Sequence, residues 1–365
     1  MASKRKTQGR DFTGGALPYL SQHRGTTGDP KLDLRITELV RDAQCRPEPE
    51  LIEELVITAI KLGTDGLSVA DLKLINRTIR EMRSAARVFA PYVTRRKVVV
   101  FGSARTLPHL PAAQSAETFA AKMVAEGYMV ITGAGEGIMG AAQKGAGREA
   151  SFGLNIKLPF EQEANPIIGG DNKLINFNYF FTRKLTFVKE AEAFALFPGG
   201  FGTIDEMFEV LTLLQTGKAA VLPVVLVDTP GGGYWDRLLA FIREEILSRE
   251  MLSPDDLSLF HVTENVNEAV AEITRFYRVF HSYRYVSNRL VFRLNTPLPE
   301  EQLAHLNISF RDLLAAGEFK QGPALPAEAS EPELLSMPRL IFRPQKKNFG
   351  RLRQLIDEVN AGWPR

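Results

Sequence analysis

Residues Pro198-Gly199-Gly200-Phe201-Gly202-Thr203-Ile204-Asp205-Glu206 join a continuous apolar run, Ala193 to Phe197, to a stretch with helical periodicity. Strand, glycine turn and helix start in that order present unpaired backbone N–H groups at the positive end of a helix dipole. The natural guest of such a cradle is an anion, phosphate first. Two further glycine-bearing turns follow apolar runs: Gly102-Ser103-Ala104-Arg105, and Thr132-Gly133-Ala134-Gly135-Glu136-Gly137-Ile138-Met139-Gly140. All three would face one rim of a parallel sheet, and their convergence says more than any one alone, since a lone glycine cluster is commonly a tight turn that lets a helix approach a strand. The second matches the dinucleotide fingerprint in its glycines. It offers Asn155 and Lys157 where an acidic residue would hold a ribose hydroxyl, which favours a mononucleotide.

Positioning such turns needs alternating strands and helices, and residues 95–280 supply them. Apolar runs at Lys97–Phe101, Tyr128–Ile131, Phe152–Leu158, Phe194–Phe197 and Leu222–Val227 alternate with helix patterns starting at Ser115, Ile138, Tyr179, Ile204 and Tyr234. Near-continuous Val, Ile and Phe in the strands predict an α/β fold with a doubly wound, Rossmann-like parallel sheet covered on both faces, and ligands beyond its carboxyl ends. Around it we expect a mobile arm over 1–30, a helical N-terminal segment over 31–94, and a small α+β C-terminal appendage over 281–365. In that appendage Tyr285–Leu294 alternates as a strand and Gly322–Pro332 has the composition of a linker or long loop.

Bulk properties narrow the partners. A formal charge of +2 gives no field that argues for nucleic acid or a membrane surface, and alternating aromatic and basic residues over Phe276–Arg293 are better explained by packing with one wet face. One cysteine excludes an intrachain disulfide and a cysteine-based zinc site, and the five histidines lack metal-ligand spacing. With no apolar leader or membrane-length run, the expected location is the cytoplasm.

The stretch Tyr179-Phe180-Phe181-Thr182-Arg183-Lys184, followed by the nonapeptide at 198–206, resembles the Arg-Lys plus P-G-G-x-G-T-x-x-E signature of the LOG ("lonely guy") family. Members are nucleoside 5′-monophosphate phosphoribohydrolases, often mislabelled lysine decarboxylases. The resemblance covers about residues 95–280, and the additional segments are more similar to long bacterial members. It implies hydrolysis of the N-glycosidic bond of AMP or of several purine and pyrimidine nucleotides to free base and ribose 5-phosphate, without cofactor or metal, in a homodimer or larger homo-oligomer. Glu206 and Arg183 are then the catalytic pair. Gly199, Gly200, Gly202 and Thr203 grip the phosphate, with Ser103, Gly133, Gly135 and Lys184 as further contacts on the rim. The transition state resembles an oxocarbenium ion, which a fixed anion stabilises. Glu206, placed in a first helical turn, is expected to stay ionised, and Arg183 to act electrostatically because a guanidinium holds its proton too tightly for easy acid catalysis.

Simpler roles compete. Thr203 and Glu206 have capping-box spacing, Arg183 and Lys184 alone would suit a solvated helix face, and Ser103 suits a turn rather than a nucleophile. A non-catalytic nucleotide or phosphorylated-ligand sensor of the same superfamily is the alternative function. A pyridoxal-phosphate decarboxylase is set aside because no lysine context identifies a Schiff-base residue.

Overall fold

The computed structural model describes residues 25–46, 48–157, 163–345 and 348–362. They divide between two compact units that part at Ala90 and Pro91. Most of the arm expected over 1–30 lies outside the described residues, and helix already begins at Pro30.

The first unit contains α1 (Pro30–Asp42), α2 (Pro49–Thr64) and α3 (Val69–Phe89). Asp29 caps α1 by accepting from the Lys31 N–H, and Ser68 caps α3 by accepting from Asp71. Ile36, Val40 and Ile57 form a small core flanked by Leu32, Ile52, Val56 and Ile60.

The second unit opens with β1 (Lys97–Phe101), α4 (Pro111–Ala125), β2 (Met129–Thr132), α5 (Ile138–Ala146), β3 (Ser151–Ile156), β4 (Leu174–Phe177), α6 (Phe180–Glu190), β5 (Ala193–Leu196), α7 (Phe201–Gln215), β6 (Val224–Val227), α8 (Tyr234–Phe241), β7 (His261–Thr263) and α9 (Val266–Phe276). The sheet order is β4-β3-β2-β1-β5-β6-β7, with every pairing parallel. The central strands are apolar on both faces because helices cover both: Val98 sits opposite Val130 on β2 and Ala193 on β5, and all three are fully buried. After β1 the chain builds outward through β2, β3 and β4, then returns to β1's other side with β5. The switch point therefore lies between β1 and β5, and the three glycine-rich turns leave the adjacent strands β2, β1 and β5 there. The edge strands β4 and β7 escape the apolar-run signal because Asn176 interrupts the first and the second, with His261 and Thr263, is three residues long.

The chain then forms β8 (Phe280–Val286), β9 (Arg289–Leu294), α10 (Glu300–Ser309), β10 (Leu314–Gly322), β11 (Arg339–Pro344) and α11 (Phe349–Val359). The antiparallel order is β10-β11-β9-β8. Phe280, Phe292, Phe319 and Phe342 form its core with Leu355 and Ile356 of α11. Two sequence expectations need correction. Tyr285–Leu294 is no single strand: it spans a hairpin whose turn includes Ser287 at φ 57°. Of the two readings of Gly322–Pro332, the long loop holds and the linker does not: the segment begins at the end of β10 and continues into 3-10 turns at Pro326–Glu328 and Pro332–Leu334. Glu328 there is completely buried, accepting from Arg339 Nε at 3.1 Å and from Arg293 Nε at 3.2 Å, while Arg284 reaches Glu331 at 2.7 Å. Composition suggested a tether, but guanidiniums from three separate strands fold it down.

Burial alone would raise the Glu328 carboxyl, yet the hydrogen bonds from Arg339 and Arg293 outweigh it and hold the group below its ordinary 4.5. Its stabilising contribution is therefore present above pH 4.5 and is lost as acid takes the solution through the depressed value. Arg339→Met, which leaves this buried anion short of its main partner, is expected to cost about 3 kcal/mol of unfolding free energy at pH 7. Urea denaturation checks the value, and the deficit should shrink in strong acid.

Candidate functional site

Close backbone approaches lace the three turns together. Ser103 N–H donates to Pro198 O at 3.1 Å and Ile138 N–H to Ser103 O at 3.0 Å, joining the β5 turn to the β1 turn and the latter to the start of α5. Glycine is required at these crossings. A Cβ at Gly137, where φ is 64°, would overlap the Ser103 and Ala104 backbone, and one at Gly199 would overlap Thr203 and press on Ser103 N. Ser103 itself serves the turn, its Oγ accepting from Arg105 N–H at 3.1 Å. Ala134 holds a left-handed φ of 63° inside the second turn. Its carbonyl accepts from Asn165 N at 2.9 Å and Asn165 Nδ2 at 3.1 Å, while its own N–H reaches Thr132 Oγ1 at 3.0 Å. Those bonds offset the strain of that conformation.

Helix α7 begins at Phe201, with Gly200 as a cap that offers no side-chain hydrogen bond. The capping box expected of Thr203 and Glu206 is consequently absent: Thr203 is the third helical residue and Glu206 the sixth. The first N–H groups of α7 have no intrahelical partner by geometry, and the space beside Gly200 and Gly202 is open on the side a Cβ would occupy. Phe201, between them, is 96% exposed. An uncapped, accessible helix start is what the anion cradle requires.

Arg183 lies in the first turn of α6 and reaches back across the rim. Its Nε donates to Leu154 O at the end of β3, 2.8 Å away, and its guanidinium packs over Gly133, where any Cβ would overlap Nη2. Gly133 thus admits the arginine. Burial lowers the Arg183 pKa, opposed by the Glu206 carboxylate. Glu206 is 8% exposed and its pKa is pushed up to about 7, chiefly by burial, against the opposing charges of Lys184 and Arg183. This corrects the expectation of an always-ionised first-turn acid: the residue sits one turn deeper, where desolvation outweighs the dipole. Lys184 joins α6 to α7, with Nζ 2.8 Å from Asp205 and 3.0 Å from Glu209. Its ammonium is engaged by these carboxylates at the side of the cradle.

The structure therefore brings Arg183, Glu206, Gly133, Ser103, Gly199 and Thr203 to one rim. Gly135 stands beside Met139, whose Cε a Cβ there would meet at 2.7 Å. Sequence reasoning missed Asn165, which also donates to Gly135 O at 2.9 Å, and Gln143, which couples Asn165 to Phe152 O at 3.0 Å. Neither belongs to a spacing motif, and each lies among other polar residues in the sequence, so nothing local marks it. Chemically, the rim offers N–H donors for an anion, a fixed cation, and a carboxylic acid that titrates near neutrality.

A family model described as possible lysine decarboxylase matches residues 139–273. Cytokinin riboside 5′-monophosphate phosphoribohydrolase LOG7 of Arabidopsis thaliana is 32% identical over 94 residues, covering 26% of this chain and 42% of its own. Probable cytokinin riboside 5′-monophosphate phosphoribohydrolase LOGL5 of Oryza sativa subsp. japonica is 32% identical over 130 residues, covering 34% of this chain and 50% of its own. The chain spans about half the length of these curated relatives. Among solved structures, the molybdenum cofactor carrier protein of Chlamydomonas reinhardtii is similar at 20% identity over 50% of this chain and 97% of that one, with a TM-score of 0.35.

Gly133→Ala should displace the end of a flexible side chain rather than the backbone. The expected outcome is a fall of about 100-fold in any turnover that depends on the guanidinium, with a melting temperature within about 4 °C of the parent's. Calorimetry beside a rate assay separates the two effects.

Proposed function

The chain belongs to the LOG family, and on that premise we propose that it hydrolyses the N-glycosidic bond of nucleoside 5′-monophosphates, AMP or several purine and pyrimidine nucleotides, to free base and ribose 5-phosphate. The observation that carries the proposal is that the half-buried Arg183 guanidinium and the buried Glu206 carboxyl, whose pKa is pushed up to about 7, lie within each other's electrostatic reach beside the uncapped start of α7.

In this mechanism the 5′-phosphate occupies the cradle formed by Gly199, Gly200, Gly202 and Thr203, far from the bond that breaks. That remote grip fixes the sugar and converts binding energy into alignment. As the C1′–N bond lengthens, its electron pair leaves with the base and positive charge grows on the ribose, where ionised Glu206 stabilises it. Water adds to C1′ and its proton passes to Glu206, whose elevated pKa makes it a better proton acceptor than an ordinary surface carboxylate. Arg183 stays charged and holds developing negative charge on the leaving base or the phosphate, the departing base takes a proton from solvent water, and Glu206 returns its own proton to solvent before the next turnover. A homo-oligomer and a cytoplasmic location belong to the same proposal. Phe180, Phe181 and Phe201 expose half or more of their surface at the starts of α6 and α7, area that a second copy would cover. Light scattering should then give a mass above 40.6 kDa.

Incubation with AMP, GMP, CMP and UMP should release base and ribose 5-phosphate from at least one. Because the ionised form of Glu206 is the active one, kcat/KM should rise about tenfold per pH unit below pH 7 and level off above it. Glu206→Gln should lower kcat about 100- to 1000-fold. The sign for stability is opposite: with the folded pKa above the ordinary 4.5, the native state prefers the protonated carboxyl, and stability falls as pH rises through about 7. The glutamine variant should therefore be more stable than the parent at pH 8, by about 2 kcal/mol. Binding of monophosphates with no release of base, unaffected by Glu206→Gln, would identify a sensor instead.

A further inference from the structure

The loop after β6 touches the cradle at one polar contact. Tyr234, the first residue of α8, directs its hydroxyl to Gly199 O, 2.6 Å away. The phenol stands on a fixed base. Its own N–H donates to Asp228 Oδ2 at 2.7 Å, the N–H of Trp235 to the same oxygen at 3.2 Å, and that of Thr229 to Asp228 Oδ1 at 2.8 Å. Trp235 is fully buried, with its indole Nε1 bonded to Val227 O at 3.2 Å. Gly232 lies so close to the Asp228 carboxylate that a Cβ there would overlap it.

A trans peptide unit points its C=O and its N–H in opposite directions. Ser103 N–H holds Pro198 O, so the direction of the Gly199 N–H is set; Tyr234 holds Gly199 O, so the direction of the Gly200 N–H is set as well. Between two glycines a peptide unit can otherwise flip at little steric cost. Side-chain bulk cannot select the orientation here, and a hydrogen bond from a rigid neighbour can.

We infer that Tyr234 is a positioning residue for the phosphate cradle, its hydroxyl fixing the Gly199–Gly200 peptide with the Gly200 N–H turned toward the anion. This rests on the cradle proposed above. Removing the hydroxyl lets the peptide sample both orientations, and apparent affinity then falls with the competent fraction. The loss should be confined to ligands that carry the phosphate.

The test uses the full chain and Tyr234→Phe, with titration calorimetry against ribose 5-phosphate and inhibition by adenosine, which lacks the phosphate. The expected result is a Kd for ribose 5-phosphate weakened about three- to tenfold, a KM for the hydrolysed monophosphate raised to match, and an unchanged adenosine inhibition constant. Asp228→Asn, which loosens the platform and leaves the phenol, should act in the same direction. If the parent protein does not bind ribose 5-phosphate, the cradle and this inference fall together. If the parent binds and Tyr234→Phe binds equally well, or if adenosine affinity drops in parallel, the positioning role alone is overturned.

Discussion

Desolvation of Glu206 is the constraint on which the site depends. Two carboxylates make the point by contrast. Glu328 is also buried, yet its pKa is lowered, because Arg339, the Leu325 N–H and Arg293 bond directly to its oxygens. Glu206 is raised because Arg183 and Lys184 act on it only through space, and their combined charge falls short of the cost of removing water. The first arrangement belongs to a structural clamp, with every lone pair directed at a fixed donor. The second leaves a buried carboxyl without direct cationic partners, an imbalance characteristic of functional groups. Each cation near Glu206 has its firm partners elsewhere: Arg183 on Leu154 O, Lys184 on Asp205 and Glu209.

Glycine supplies the other half of the arrangement. A guanidinium can pack against the β2 turn because Gly133 has no side chain, and the β1 and β5 turns can touch because Gly199 has none. The glycines therefore do two different jobs. Gly199 and Gly137 permit contact between backbones, whereas Gly200 and Gly202 have open space where a Cβ would be and leave room for a guest. Spacing in a sequence does not distinguish those jobs, and only the neighbours across the rim do.

That difference also marks what was legible. The apolar runs at Lys97–Phe101 and Ala193–Phe197 announced the parallel sheet because strands buried on both faces have continuous, unmistakable composition. The three turns could be placed on one rim from topology alone. Less legible was the start of α7. The threonine and glutamate at capping-box spacing suggested a helix beginning near Ile204, but the glycines themselves enter the first turn, and Glu206 moves one turn inward, from a dipole-stabilised end to a desolvated wall. Likewise, Pro, Ala and Glu over 322–332 resembled a tether because their partners lie outside the segment, Arg339 on the strand that follows it and Arg284 and Arg293 on strands well before it. Long-range polar pairing of this kind leaves no periodic trace.

The C-terminal sheet has a place in the same logic. Helix α7 carries Glu206 near its start, and at its far end Gly217 packs so closely on the Phe349 ring that no Cβ would fit. Beside it Gln215 Nε2 bonds to Asp256 at 2.8 Å, and Asn348 and Gln354 of the α11 region bond to Asp255 at 2.6 and 3.1 Å. Gly350 sits directly on the Asp255 backbone. The helix is thus fixed at both ends: at its start by Ser103 on Pro198 and Tyr234 on Gly199, at its end by α11 and the turn over Pro254–Leu259. A helix that must hold a carboxyl in an unfavourable, dehydrated position needs such restraint, because a small tilt would let water reach the acid and relax its pKa toward the ordinary value. On this argument the extra layer helps to hold the acid where it costs most.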